Sequence, residues 1–465
     1  MIPHLTRNVP VAVICNISET FYDFLSRAGE ESECARLVHG EQYRGDRALL
    51  WVGDPKLLIV SLPIPHASDL MRRLGYEGTT YLAPAAPSPW LSLDILREPA
   101  LLQALVAYAG PERTVQLVPY ATTPQFMQLV ATLREAHGLT ILLPESPAPE
   151  ALWLRDYIDT KAGFHLLVPH WLAGEATLPR AIVCHSQEEA ASVVHWFISQ
   201  GQPCLVKADD GENGIGNLVI QPDAGASVME HLNALRYYSF LSEGWLTVEA
   251  FIPSSGRLSP SLELFVPPQG SGIPEITYVC NQLFLAFGDF CGVLLSRDLL
   301  AARWYAPLAE SGLRIARGLQ EMGYVGHFDL DAVVDDEGRL FLLEINARRT
   351  GGTHAHEAGH FLFGPAYLEQ VALLSHDAMS SGALTSSEAL LACLEDLLYP
   401  LTEERTRGVI ITGTSALAVG EFGCLIVAPT TEEVIDLQQQ VKRRIAQATA
   451  VHPTATEHRS LIAGG

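Results

Sequence analysis

The chain has 465 residues, 48% of them hydrophobic, which is apolar material for more than one core, and about 100 to 200 residues per domain points to three. A formal net charge of −23 argues against a nucleic-acid partner, because a polyanion is repelled unless a basic stripe compensates, and the sequence carries no such stripe. The acidic excess keeps such a chain in solution.

In chain order, the opening MIPHLTRNVPVAVICN is too short and too soon interrupted in its apolar part for a signal peptide. Apolar runs at 11–15, 49–52, 57–62 and 115–119 read as strands, alternating with helical stretches at 101–108 and 125–137, which predicts a mostly parallel α/β domain over residues 1–150. The proline-rich segments 83–89 and 144–149 read as a loop and a domain linker. A catalytic unit is expected over 151–375, with a lid portion at about 160–250 and a larger sheet at about 251–375. Within it, 298–322 reads as an amphipathic core-packing helix. The longest apolar run, near 283–295, contains Asp289, so no segment is expected to span a membrane. The last part, 376–465, holds the strand-like GVIITGTS and GCLIVAP and a helix opening on Thr430, Thr431, Glu432 and Glu433, and reads as a small α+β tail. Eight cysteines are scattered without C-x-x-C pairing, the pattern of buried free thiols in a reducing cytosol, so a cytoplasmic location is expected.

Two stretches carry chemistry. In GHFDLDAVVDDEGRLFLLEINARRTGG (326–352), apolar segments flank the turn residues Asp335, Asp336, Glu337 and Gly338, the pattern of a hairpin. Strand periodicity puts Glu344 and Asn346 on one face, and a suitable register brings Asp331 beside them. Two carboxylates and an amide oxygen suit magnesium bound together with phosphate oxygens. Arg348 and Arg349 follow, and planar guanidinium groups clamp phosphoryl or carboxylate groups by two points. Upstream, PCLVKADDGENGIGNLVI (203–220) is a strand ending in Lys207, a loop with Gly211, Asn213, Gly214, Ile215 and Gly216, and a second strand. Its glycines allow backbone amides close to phosphate while the lysine adds a point charge. Neither a Walker loop nor a dinucleotide fingerprint is present.

Lys161 in IDTKAGF, Lys207, Glu249 in LTVEAFIP, then Asp331, Glu344, Asn346 and Arg348 fall in the order and context of the ATP-grasp ligases, which this chain resembles; the two carboxylates stand thirteen positions apart. Segments 47–65, 259–268 and 344–354 are similar to the subgroup with a pre-ATP-grasp domain, typified by the peptide ligase of pheganomycin biosynthesis. The resemblance implies an α/β and α+β architecture: an ATP-grasp fold with an N-terminal pre-ATP-grasp α/β domain and a small C-terminal α+β domain. It implies that Lys161 and Lys207 hold the α- and β-phosphates of ATP, and that Glu249 with the backbone of Ala250, Phe251 and Ile252 reads adenine. Asp331, Glu344 and Asn346 would ligate two Mg2+ ions and Arg348 would neutralise the transferred phosphate. Asp329 departs from the pattern, standing where the family often has glycine or arginine.

The implied activity is ATP-dependent joining of a carboxylate, such as an amino acid, to an amine or peptide through an acyl phosphate, in a small-molecule biosynthetic pathway. Capture by a carrier-protein thiol, or nucleotide binding without turnover, are the alternatives. Symmetric pairing is the commonest soluble arrangement, and a homodimer is left open. Gly352, Thr353, His354 and His356 are expected to line the substrate pocket behind Arg348. His356-Glu357-Ala358-Gly359-His360 also matches the zinc-protease spacing H-E-x-x-H, but Gly359 weakens the helix that spacing needs and no strong third ligand follows. A solvent-facing histidine loop is the remaining reading.

Overall fold

A computed structural model describes residues 4–174, 177–222, 226–285, 288–400 and 405–451. The end of the expected tail, beyond 451, lies outside the described residues, as do 175–176 and 223–225 of the lid span. The described residues form three sheets. The first is parallel, in the order Thr80–Leu82, Leu57–Ile59, Val11–Ile14, Thr114–Pro119, Thr140–Leu142. Its strands are covered on both faces, which is why they read as unbroken apolar runs: Ala12 and Ile14 pack one way with Phe126 and Leu129, Val13 the other way with Leu58 and Val118. Strand order reverses between Val11–Ile14 and Thr114–Pro119, and in open α/β sheets the crevice outside the strand ends at such a point takes ligands. Asn16 closes that end by accepting from the Tyr120 amide at 3.0 Å, which places Tyr120 at a cavity mouth.

One expected strand is absent. Residues 49–52 lie in and just after the 3-10 helix Arg44–Leu50, with Leu49, Leu50 and Trp51 fully buried. A four-residue apolar run has no readable period, so only packing decides its conformation. The helices at Pro99–Tyr108 and Pro124–Glu135 are found where expected. The long helix begins later, at Tyr305–Glu321, after the 3-10 turn Arg297–Ala301. It lies so close to the sheet that a Cβ on Gly312 would meet Leu262 Cδ2 at 2.7 Å.

The second sheet is antiparallel, in the order Ala181–Cys184, Leu246–Ala250, Cys204–Glu212, Ile215–Ile220. The third has eight strands: Leu340–Asn346, Gly326–Val334, Pro260–Val266, Glu275–Phe284, Phe290–Leu295, Ala372–Ser380, Glu421–Ala428 and Gly408–Gly413. Its last two strands come from the expected tail, which therefore has no sheet of its own: Glu421–Ala428 pairs directly with Ala372–Ser380. The helix Thr431–Val451 covers them through Val434, Leu437 and Val441. Two apolar strands and one helix leave an open sheet edge, and joining an existing sheet satisfies its hydrogen bonds. No helix among the described residues is long and apolar enough to cross a membrane.

Candidate active site

The hairpin Gly326–Val334 with Leu340–Asn346 has the register that brings its acidic residues together. Asp331 pairs directly with Glu344 and Asp329 with Asn346. The turn is locked by Asp335, whose Oδ1 accepts from the amides of Glu337 at 3.0 Å and Arg339 at 2.8 Å, while Gly338 takes φ +80°. Asn346 donates to Asp331 Oδ2 at 2.9 Å and Gln282 donates to Asp331 Oδ1 at 3.0 Å. The three side chains of the expected ligand set thus share one wall of a cavity of about 410 Å³, with the Asn346 amide nitrogen toward Asp331 and its oxygen toward Arg348. Two carboxylates and an amide oxygen are the hard donors magnesium takes, so the set fits that ion.

Both lysines approach this wall. Lys161 begins the helix Lys161–Leu172 behind the Thr160 cap, and its Nζ lies 3.1 Å from Glu344. Lys207, inside the strand Cys204–Glu212, has its Nζ 2.8 Å from Glu249 and 4.0 Å from Glu344. Burial pushes the Glu344 carboxyl up, yet Lys161 and Lys207 together hold it down at about 2. Asp331 has no such cation among the described residues: burial, then the nearby Glu344 charge, raises it to about 6. Ions with multiple positive charges at that point would reverse the shift. Glu249 is held below the usual carboxylate range because Lys207 outweighs its burial. Its other oxygen lies 3.3 Å from His165, so this carboxylate orients Lys207, while Ala250, Phe251 and Ile252 edge the cavity.

The glycine-loop hairpin closes over the lysines. Asn213 and Gly214 reach the cavity; Gly211, Ile215 and Gly216 shape the turn behind them. Gly214 (φ +77°) abuts the far wall, where a Cβ would lie 2.3 Å from the Gly288 carbonyl oxygen. Arg27 grips Asp210 of the hairpin with two bonds of 2.7 Å.

Arg348 enters the cavity, donating to Asn346 Oδ1 at 2.8 Å and to Glu212 at 2.9 Å, with its guanidinium over the Phe21 ring. Arg349 does not. Successive residues in extended chain point to opposite sides, and Arg349 is 1% exposed, bound to Glu145 through two bonds (2.9 and 2.7 Å) and to Glu357 at 3.0 Å. The expectation that it acts on substrate is therefore corrected: it ties Glu145, just after the parallel sheet, to the helix Thr353–Phe363 through Glu357.

Gly352 lines the cavity, where a side chain would strike the Tyr278 hydroxyl at 2.5 Å. Thr353, His354 and His356, expected beside it, face away. They lie on the helix Thr353–Phe363: Thr353 binds Glu263, His354 is 3.0 Å from Ser375 Oγ, and His356 is 3.1 Å from the Tyr367 hydroxyl. Burial lowers both imidazoles to about 4. The segment is helical, and it carries glycine at 359 because a Cβ there would meet Tyr367 at 2.7 Å. Its zinc-protease spacing gathers no ligands: Glu357 is turned to Arg349 and the Val52 amide. Among the described residues, three or more histidine, cysteine or carboxylate side chains come within metal-ligand reach of one another at His4, Glu145 and His327, and there Arg349 already grips both Glu145 oxygens.

Several cavity residues carried no motif: Arg44 and Arg47 from the 3-10 helix, Tyr120, Gln282 and Glu212. For Gln282 the only signal was strand alternation, which sets it on one face with Cys280. Asp329, the departure from the family pattern, is buried beside Asp331 on the cavity wall; Thr350 donates to its Oδ2 at 2.5 Å, and its Oδ1 has no partner among the described residues. Burial, then Glu263 and Asp331, pushes its carboxyl well above the usual range.

No family model matches the chain. The L-propargylglycine--L-glutamate ligase of Streptantibioticus cattleyicolor is 25% identical over 271 residues, 51% of this chain and 54% of that protein, so the match spans about half of either. Among solved structures, a biotin carboxylase–ATP complex from Campylobacter jejuni aligns with TM-score 0.58 at 12% identity, covering 96% of each chain. An ADP complex of N5-carboxyaminoimidazole synthetase from Staphylococcus aureus aligns with TM-score 0.51 at 10% identity, covering 96% of this chain and 99% of that one. Identities this low speak for architecture alone, and together with the sheet order and the convergence of Lys161, Lys207, Asp331, Glu344 and Asn346 they establish that this chain has the ATP-grasp fold.

Proposed function

We propose that this protein is an ATP-dependent carboxylate–amine ligase that joins amino-acid-like substrates in a small-molecule biosynthetic pathway. The observation that carries the reading is the placing of Asp331, Glu344 and Asn346 opposite Lys207 and beside Arg348 in one cavity. The name of the Streptantibioticus relative, which couples two amino acids, supports the substrate class. A catalytic unit over 151–375, with Arg44, Arg47 and Tyr120 of the 1–150 domain lining its cavity and the strands of the 376–465 tail extending its sheet, suits this chemistry, as does a cytoplasmic supply of ATP. A homodimer is compatible with it.

Bound between Asp331, Glu344 and Asn346, two magnesium ions and ATP would supply the γ-phosphoryl group and the charge that stabilises its transfer. Lys161 and Lys207 place positive charge on the α- and β-phosphates, with Glu249 steadying Lys207. The main chain of residues 250–252 offers the purine its polar edge. A substrate carboxylate oxygen attacks the γ-phosphorus, the bond to the β-phosphate oxygen breaks, and ADP leaves. The amine then attacks the acyl carbon of the acyl phosphate, loses a proton, and inorganic phosphate departs. Arg348 neutralises that phosphate. The hairpin tip at Asn213 and Gly214 excludes water that would otherwise hydrolyse the acyl phosphate.

A phosphate-release screen over paired amino acids and short peptides, with magnesium and ATP, tests the proposal. Release that requires both an acid and an amine, with the coupled product seen by mass spectrometry, is the expected result. Nucleotide binding without release for every pair would refute it.

A further inference from the structure

Glu212 does something unusual for a carboxylate on a phosphate-covering loop. Its Oε2 accepts from Arg348 at 2.9 Å, and its Oε1 lies 3.7 Å from Arg44, so one anion is held between an arginine of the N-terminal domain and the arginine that follows the metal hairpin. Asn213, one residue on, sets its side-chain amide against the same Arg44 guanidinium, where only the amide oxygen can accept from it. Both arginines keep other partners. Arg44 binds Glu41, and Arg348 binds Asn346 and lies 3.6 Å from Asp159. Arg47, on the same side of the 3-10 helix three residues on, adds positive charge to this end while paired to Asp377 at 2.6 Å. Removal of Glu212 would leave a buried guanidinium, Arg348, and a half-buried one, Arg44, short of one negative charge. Such a pair costs desolvation energy unless an anion fills it.

We propose that Arg44 and Arg348 form a two-arginine seat for the phosphoryl group of the acyl phosphate, and that Glu212 occupies this seat in the ligand-free protein until the reacting anion displaces it. This rests on the ligase reading above for the identity of the anion. Arg44 then touches the reacting group directly and is a catalytic residue supplied by the N-terminal domain. Glu212 is a positioning residue: it keeps two like charges together while the seat is empty and leaves it when a dianion with more acceptor oxygens arrives. The hairpin need not open for this exchange, because Arg27–Asp210 and the Gly214–Gly288 contact hold it independently.

The test is calorimetric titration of inorganic phosphate into the full chain saturated with magnesium and ADP. Glu212→Gln should bind phosphate about tenfold more tightly than wild type, and Arg44→Met about tenfold more weakly, with ADP affinity unchanged in both as the check on folding. Arg44→Lys, which keeps the charge but not the two-point geometry, should fall between. Equal phosphate affinity in wild type and Glu212→Gln, or in wild type and Arg44→Met, would overturn the proposal. Because the readout is equilibrium binding, it is independent of turnover: a protein that fails the phosphate-release screen yet shows this competition would sink the ligase reading and leave the anion seat standing.

Discussion

Two clusters of charged side chains lie on opposite sides of the chain at Arg348 and Arg349, built from neighbouring residues of the same segments. On the cavity side, Lys161, Lys207 and Arg348 face Asp331, Glu344 and Glu212. On the far side, Arg349 and His327 are enclosed by Glu145, Glu263 and Glu357. Every carboxylate of the enclosed cluster has a cationic partner within 3.0 Å. On the cavity side Asp329 and Asp331 have no cation partner among the described residues, and their pKa values are raised. The residue types are the same. What separates a site from a weld is uncompensated charge facing a space large enough for a ligand.

Disrupting the cavity side should cost activity and little stability. Glu344→Gln is expected to lower phosphate release at least about a thousandfold while the melting temperature stays within a few degrees, since Glu344 borders the cavity, the glutamine keeps an acceptor oxygen for Lys161, and Lys207 retains Glu249. Retained turnover in that variant would remove the metal-site assignment. Disrupting the enclosed side should do the reverse. Arg349→Met should destabilise the fold by about 3–5 kcal/mol in denaturant unfolding, because it strands Glu357 without a cation and takes from Glu145 its two-bond partner, whereas Arg348→Met should cost about 1 kcal/mol and most of the turnover. Similar stability losses in the two variants would erase the distinction.

A milder probe is pH. Burial alone would lower His327, but Glu263 and Glu145 raise its pKa from 6.5 to about 10. A pKa raised on folding stabilises fully below the unfolded value, so this contribution is complete below pH 6.5 and is lost as pH rises through about 10. The melting temperature of wild type should therefore fall across that window more steeply than that of His327→Gln. Parallel curves would show that the imidazolium contributes nothing. The smallest expected effect is at Asp329: replacement by Asn keeps an acceptor for Thr350 and removes a buried charge without a cation, so stability should rise by about 1 kcal/mol. A loss of stability would mean that Asp329 is compensated after all.

Much of the cavity wall was legible because its residues are close in sequence or set by strand alternation. A hairpin with a known turn puts Asp331, Glu344 and Asn346 together whatever surrounds it, and Lys207 next to a glycine loop needs little context. Strand alternation sends Arg348 and Arg349 to opposite sides, which the expectation of a single two-arginine clamp left out of account. The histidines misled for a different reason: 353–360 forms a helix, and which face of that helix meets the cavity depends on Tyr367 and Ser375. Nor does local sequence separate Leu49–Trp51 as strand or 3-10 helix, since both states bury the same apolar side chains.

What the sequence determined by itself was the order of phosphate- and metal-directed residues along the chain, together with the local geometry of two hairpins, because short-range turn chemistry and the two-residue period act within a few residues. Tertiary structure alone decided which charges are left over. Arg47 meets Asp377 across 330 positions, Arg349 meets Glu145 across 204, and Glu212 meets Arg348 across 136. Charge compensation depends on distance in space, and no pattern in the chain encodes which distant carboxylate a guanidinium will find.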